Sequence, residues 1–143
     1  MPECHVLLVD DEEDFVVVLA ERLETRNLQV DTAGDGETAV AKAKKKAFDA
    51  IVLDMAMPGM NGIQTLNALL EINPDLQVIL LTGQATLKQA VEAMKLGALD
   101  LLEKPVDIAT LVAKIDDAAR KRSKLDDKRI QDKVSDILRK KGW

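Results

Sequence analysis

Three short runs, VLLV at 6–9, AIVLD at 50–54 and QVILLT at 77–82, are apolar at consecutive positions rather than alternate ones, and each ends at or beside a polar residue. A strand that is apolar on both faces needs cover on both faces, which a parallel sheet flanked by helices supplies. LQVDTA (28–33) and ALDLLEK (98–104) read as two further strands, less hydrophobic and suited to the sheet edges. Segments of helical length lie between them. Residues 13–26 place Phe15, Val18, Leu19 and Leu23 on one face, and residues 36–46, opened by GDGE, place Ala39, Val40 and Ala43. Residues 62–72 align Ile63, Leu66, Leu69 and Leu70, and residues 85–96 align Leu87, Ala90, Val91 and Met94 before a Gly97 suited to a left-handed helix end. Five repeats of strand then helix predict a doubly wound α/β domain. Right-handed crossovers then bring the C-terminal ends of all strands to one edge, where open parallel sheets take ligands.

That edge collects a specific set of polar residues. Asp10 and Asp11 follow the first strand, Asp54 closes the third, Thr82 closes the fourth and Lys104 follows the fifth. Asp10 and Asp11 open a run of five acids that ends at Asp14. Carboxylates gathered in a partly buried site cannot all stay ionised without a positive partner. A divalent cation is an economical partner, and an all-oxygen set favours Mg²⁺ or Mn²⁺ over zinc, for which the chain has one His and one Cys. Asp54 can act as a nucleophile that accepts a phosphoryl group as an aspartyl phosphate. Lys104 supplies fixed positive charge and Thr82 a hydroxyl against the phosphoryl oxygens. Taken singly, each residue has a plainer role. Acids after a strand cap helices, as Glu13 and Asp14 are expected to do, and Asp54 before MAMPGMNG suits a turn. Four separate strand ends with complementary chemistry favour the joint reading.

The blocks LLVDDEEDF, AIVLDMAMPGMNG, VILLTGQA and AMKLGALDLLEKP stand in order across residues 5–117. In these the chain resembles the receiver domain of two-component response regulators (CheY-like), of the single-domain type with a C-terminal helical extension. The resemblance implies a flavodoxin-like (βα)5 sandwich with a five-stranded parallel sheet of order 2-1-3-4-5. It makes Asp54 the phosphoacceptor. Asp11, Asp54 and the Ala56 backbone carbonyl become direct Mg²⁺ ligands, with Asp10 acting through water. Thr82 and Lys104 take the roles given above, and the Lys104–Pro105 peptide is expected to be cis. A sensor histidine kinase or histidine phosphotransfer protein is the implied donor. The face built from the fourth helix, fifth strand and fifth helix is the implied switch, contacting a protein partner or a second copy. The implied chemistry is self-phosphorylation and self-dephosphorylation, with no separate substrate turned over.

Two departures stand out. Leu101 occupies the position, three before the lysine, where members usually carry Tyr or Phe, so weaker coupling between phosphorylation and the switch face is expected. The positions two beyond Asp54 and Thr82, which tune acyl-phosphate hydrolysis in the family, are Ala56 and Gln84. Ala56 has no side chain to orient water, so a long-lived phosphoform is expected. Rival chemistries fit less well. A flavin-binding loop would not be DDEED, which repels phosphate, and a haloacid-dehalogenase phosphatase needs an acid where Ala56 stands. A phosphorylation-independent adaptor, or a receiver within a larger transcriptional regulator, remains as the alternative.

The charge is asymmetric. Residues 1–117 carry net −11 and residues 118–143 carry net +6, which suggests a receiver over 1–120 and a basic amphipathic helical tail over 121–143. Ile130, Val134, Ile137 and Leu138 form an apolar stripe in the tail. Its phase drifts by about 120° from Ala118, and Ser123 with Asp126 could cap a new helix, so a break near 121–125 and one long helix are both open. Docking of the stripe on the body and use of it for a dimer or partner contact are likewise both open. The tail is too short for a helix-turn-helix, and the aromatics are only Phe15, Phe48 and Trp143, so specific DNA binding is not expected. Cys4 reads as an inert free thiol. No leader and no apolar run of roughly 18 residues is evident, so a cytoplasmic protein without membrane spans is expected.

Overall fold

The computed structural model describes residues 4–57, 59–83 and 86–140. Gln84 and Trp143 lie outside the described residues. The elements are β1 (Cys4–Val9), α1 (Glu13–Glu24), β2 (Leu28–Ala33), α2 (Gly36–Lys45), β3 (Ala50–Asp54), α3 (Gly62–Ile72), β4 (Val78–Thr82), α4 (Leu87–Leu96), β5 (Asp100–Glu103) and α5 (Ile108–Lys140). The sheet order is β2-β1-β3-β4-β5, every pair parallel, as expected for the flavodoxin-like arrangement. β3 and β4 are buried at every residue, while the edge strands β2 and β5 are half-buried or exposed at all residues but Ala33.

Alternation along each strand divides the core into two layers. Leu7, Ile51, Leu53 and Leu80 face Ala39 of α2, Leu66 and Leu69 of α3 and Ala93 of α4. Val6, Leu8, Val52, Ile79 and Leu81 face Leu19 and Leu23 of α1 and Leu111, Ile115 and Ala118 of α5. Capping boxes open α3 (Asn61 with Gln64) and α4 (Thr86 with Gln89), and Gly97 closes α4 at φ 114°.

Two helix faces differ from expectation. α1 buries Val16, Leu19, Ala20 and Leu23, and Val18 is 49% exposed. α4 buries Ala93 alone, and its apolar stripe points outward, with Leu87 83% and Val91 44% exposed. Ala93 makes the buried contact, Leu96 packs against the core margin, and Leu87, Val91 and Met94 are left on the outer side.

α5 is one continuous helix of 33 residues, so there is no break at 121–125. At 1.5 Å per residue it is about 50 Å long and outruns the body. The stripe does not dock on the body: Ile130 and Ile137 are 62% and 54% exposed. Two ion pairs brace its base instead. Arg122 Nη1 donates to Asp49 Oδ1 at 3.0 Å, Asp49 Oδ2 accepts the His5 N–H at 2.8 Å, and Arg129 pairs with Asp75. Asp49 and Asp75 precede β3 and β4, so α5 leaves from the sheet edge opposite Asp54. Arg122→Ala is expected to cost about 1 kcal/mol or less in urea unfolding, because the pair is about a quarter exposed. Amide exchange should accelerate over 123–140 in the same variant.

Candidate functional site

The C-terminal edge of the sheet brings the expected residues together. β1 and β3 are adjacent, so Asp10 and Asp54 emerge side by side, 2% and 4% exposed. Asp11 stays exposed at the rim. One carboxylate oxygen from each of Asp10, Asp11 and Asp54 lies within 4.8 Å of the others. The Lys104 Nζ enters from the far side of β4, 2.9 Å from Asp10 Oδ2 and 3.5 Å from Asp54 Oδ1. Lys104 is held at its backbone by its own N–H, which donates to the Thr82 carbonyl at 2.7 Å, and the following Lys104–Pro105 peptide is cis as expected. Thr82 itself is buried at the end of β4, beside the cleft.

The loop after Asp54 is fixed from below. Met55 N–H donates to the Leu81 carbonyl at 2.9 Å, and the Met55 carbonyl accepts the Gly62 N–H at 3.0 Å. Ala56 is exposed, and its N–H donates to Asp54 Oδ1 at a long 3.4 Å. Asp10 Oδ1 accepts the Glu12 N–H at 3.0 Å, so Asp10 supports the entry to α1 as well as Lys104. Glu13 and Asp14 sit in the first turn of α1, as expected of dipole-complementing acids.

Burial, then the neighbouring Asp10 charge, push the Asp54 carboxyl above its ordinary range, against the pull of Lys104 and the Ala56 N–H. Burial draws the Lys104 ammonium downward, but the hydrogen bond and charge of Asp10, with Asp54 and Glu12, outweigh it and leave it raised. Burial also pushes the Cys4 thiol up to about 11, which fits the inert reading of that residue.

Leu101 pairs with Leu80 across the β4–β5 ladder and packs against the α2–α4 side of the core. Two neighbours of Lys104 were not foreseen. Glu12 Oε1 is 3.7 Å from Nζ, and the Phe15 ring centroid is 4.4 Å from it. Phe15 had been visible only as one member of an apolar helix face.

Fold and cleft together define an α/β domain with an acidic, lysine-bridged pocket at the C-terminal edge of its sheet. Residues 6–116 match the model of the response regulator receiver domain, and the chain belongs to that family. It is similar to the transcriptional regulatory protein ZraR of Klebsiella oxytoca, 35% identical over 116 residues, which are 81% of this chain and 26% of that protein. It is also similar to the transcriptional regulatory protein PrrA of Mycobacterium tuberculosis, 36% identical over 118 residues, 82% of this chain and 51% of that one. The chain thus spans a quarter to a half of these relatives. Among solved structures, a response regulator receiver domain protein (CheY-like) from Methanospirillum hungatei JF-1 superposes with a TM-score of 0.81 at 26% identity, covering 85% of this chain and 98% of that one. A receiver is a signalling domain. Among the described residues no helix is long and apolar enough to cross a membrane.

Proposed function

We propose that this receiver accepts a phosphoryl group on Asp54 from the phosphohistidine of a sensor histidine kinase or histidine phosphotransfer protein. A carboxylate oxygen of Asp54 attacks phosphorus as the phosphorus–nitrogen bond breaks, and the departing imidazole takes up a proton. The observation that carries this reading is the Lys104 ammonium, bridging Asp10 and Asp54 where phosphoryl oxygens would come to lie. The Thr82 hydroxyl would donate to the same oxygens.

The donor set fits a hard divalent ion, since three carboxylates approach within 4.8 Å and neither His nor Cys joins them. Asp11, Asp54 and the Ala56 carbonyl would hold Mg²⁺ or Mn²⁺, with Asp10 acting through water. The bound ion supplies positive charge against the acids and the phosphoryl group.

The output surface in this reading is the α4-β5-α5 face. The outward Leu87, Val91 and Met94 of α4 support a protein partner or a second copy there, and the tail offers another dimer contact. Leu101 already packs on the core, so coupling would run through Thr82 and the β4–α4 loop. A cytoplasmic location belongs to the same reading. The unpaired stripe on α5 favours a second reading, a receiver module within a larger regulator.

Intact-protein mass after incubation with Mg²⁺ and acetyl phosphate tests the proposal. One phosphoryl group is expected on the native chain, and none on Asp54→Asn or in excess chelator. A folded, Mg²⁺-binding chain that stays unlabelled by both acetyl phosphate and phosphorylated kinase would replace it with a phosphorylation-independent adaptor.

A further inference from the structure

We propose that Phe15 is a positioning residue for Lys104, its ring face holding the ammonium in the cleft by a cation–π contact. This rests on the phosphoacceptor reading of the site. The Nζ has carboxylates at 2.9 Å (Asp10), 3.5 Å (Asp54) and 3.7 Å (Glu12), and the Phe15 centroid at 4.4 Å closes a further side. That separation is well inside the roughly 6 Å reach of a cation–π attraction.

Packing alone does not account for an aromatic ring here. Phe15 is half-buried at the margin of the α1–α5 core layer, where Val16, Leu19, Ala20 and Leu23 already fill the interior. An aliphatic side chain would serve that margin equally well. What a ring adds is a negative face for a cation, in a chain with only three aromatic residues. The other described phenylalanine makes a useful contrast. Phe48 is fully buried and fills the core, and its cation contact is the exposed Lys46 at 5.7 Å.

The contact suits what Lys104 has to do. A lysine stem has four rotatable bonds, and an ammonium whose one close hydrogen bond is to Asp10 can exchange that carboxylate for water. When charge arrives on Asp54, Nζ has to shift from Asp10 toward the new oxygens. A ring face attracts a cation without fixing a hydrogen-bond direction, so Nζ can move between acceptors while staying out of solvent.

The test uses Phe15→Leu, Phe15→Met, Phe15→Tyr and Phe15→Trp in the full chain, each checked for native circular dichroism. Two quantities are read: the ring-current shift of the Lys104 ε-methylene protons, and the rate of phosphoryl uptake from acetyl phosphate at saturating Mg²⁺. Leu and Met should abolish the shift and slow uptake roughly fivefold, while Tyr and Trp retain both. In a Lys104→Met background, Phe15→Leu should slow uptake no further. Native rates in Leu and Met, or Tyr and Trp variants as slow as Leu, would reduce Phe15 to core packing. The ring-current shift needs no phosphorylation. A native chain that shows the shift but takes no label from either acetyl phosphate or phosphorylated kinase therefore overturns the phosphoacceptor reading, whereas a labelled chain without the shift overturns the role of Phe15.

Discussion

Replacing Gly62 with alanine is expected to cost about 3 kcal/mol of folding stability, the upper end for overpacking. A Cβ at this position would lie 2.4 Å from Met55 Cα and 2.9 Å from the Asp54 carbonyl oxygen. Both are backbone atoms, so no side chain can rotate away. The helix cannot easily retreat either. Asn61 and Gln64 cap α3 reciprocally at 2.9 and 3.0 Å, and the Gly62 N–H is bonded to the Met55 carbonyl at 3.0 Å. Moving α3 outward would also uncover Leu66 and Leu69, both fully buried. The strain therefore falls on the end of β3 and the segment after it, which carry Asp54 and Ala56, and phosphoryl uptake should fall along with stability. Urea unfolding of Gly62→Ala beside Gly34→Ala checks this, because a Cβ at Gly34 meets nothing within 4 Å and should be near neutral. Equal midpoints for the two variants would show that the β3–α3 junction yields without cost.

The strands were legible because continuous apolar runs have one comfortable environment, the interior of a covered parallel sheet. Asp10, Asp54, Thr82 and Lys104 were legible for a related reason: topology alone sends the ends of β1, β3, β4 and β5 to one edge. Phase was harder to read. Val16, Val17 and Val18 are three equal candidates for the buried face of α1, and only docking onto the layer that holds Leu8, Val52 and Leu111 selects Val16. The stripe Leu87, Val91, Met94 is amphipathic whichever way α4 turns, and periodicity does not say which side meets water. In α5 the drift of the apolar stripe left a break and one long helix equally open. A helix that leaves the body is free of the need to keep one phase, and it continues unbroken through residues 121–125. Phe15 was hidden most completely, since its lysine belongs to the opposite end of the domain sequence and meets it only in the folded chain.

Asp54→Asn is expected to stabilise the metal-free chain at neutral pH, because it removes a carboxylate whose ionised form burial and the Asp10 charge disfavour. Burial and the charge of Asp10 raise the Asp54 carboxyl, so the folded chain binds its proton more tightly than the unfolded chain does. The resulting stabilisation is complete below the unfolded-state value and is lost as pH rises through the raised folded-state value. At neutral pH the ionised carboxylate therefore opposes folding. Lys104 works the other way. Its ammonium is also raised, but for a cation that stability is fully present below the ordinary lysine value and is lost only in alkali. Lys104→Met should accordingly destabilise the chain at neutral pH, leaving Asp10 and Asp54 without their shared cation. Urea midpoints at about pH 7 and about pH 3, below the ordinary carboxylate range, separate these contributions. The Asp54→Asn gain should shrink toward zero in acid. Mg²⁺ at about one hundred times its dissociation constant should add about 2.7 kcal/mol to the native chain and clearly less to the variant. A variant less stable than the native chain at neutral pH, by a margin unchanged in acid, would mean that Lys104 already balances the acids. The cleft would then hold no repulsion for a metal ion to relieve.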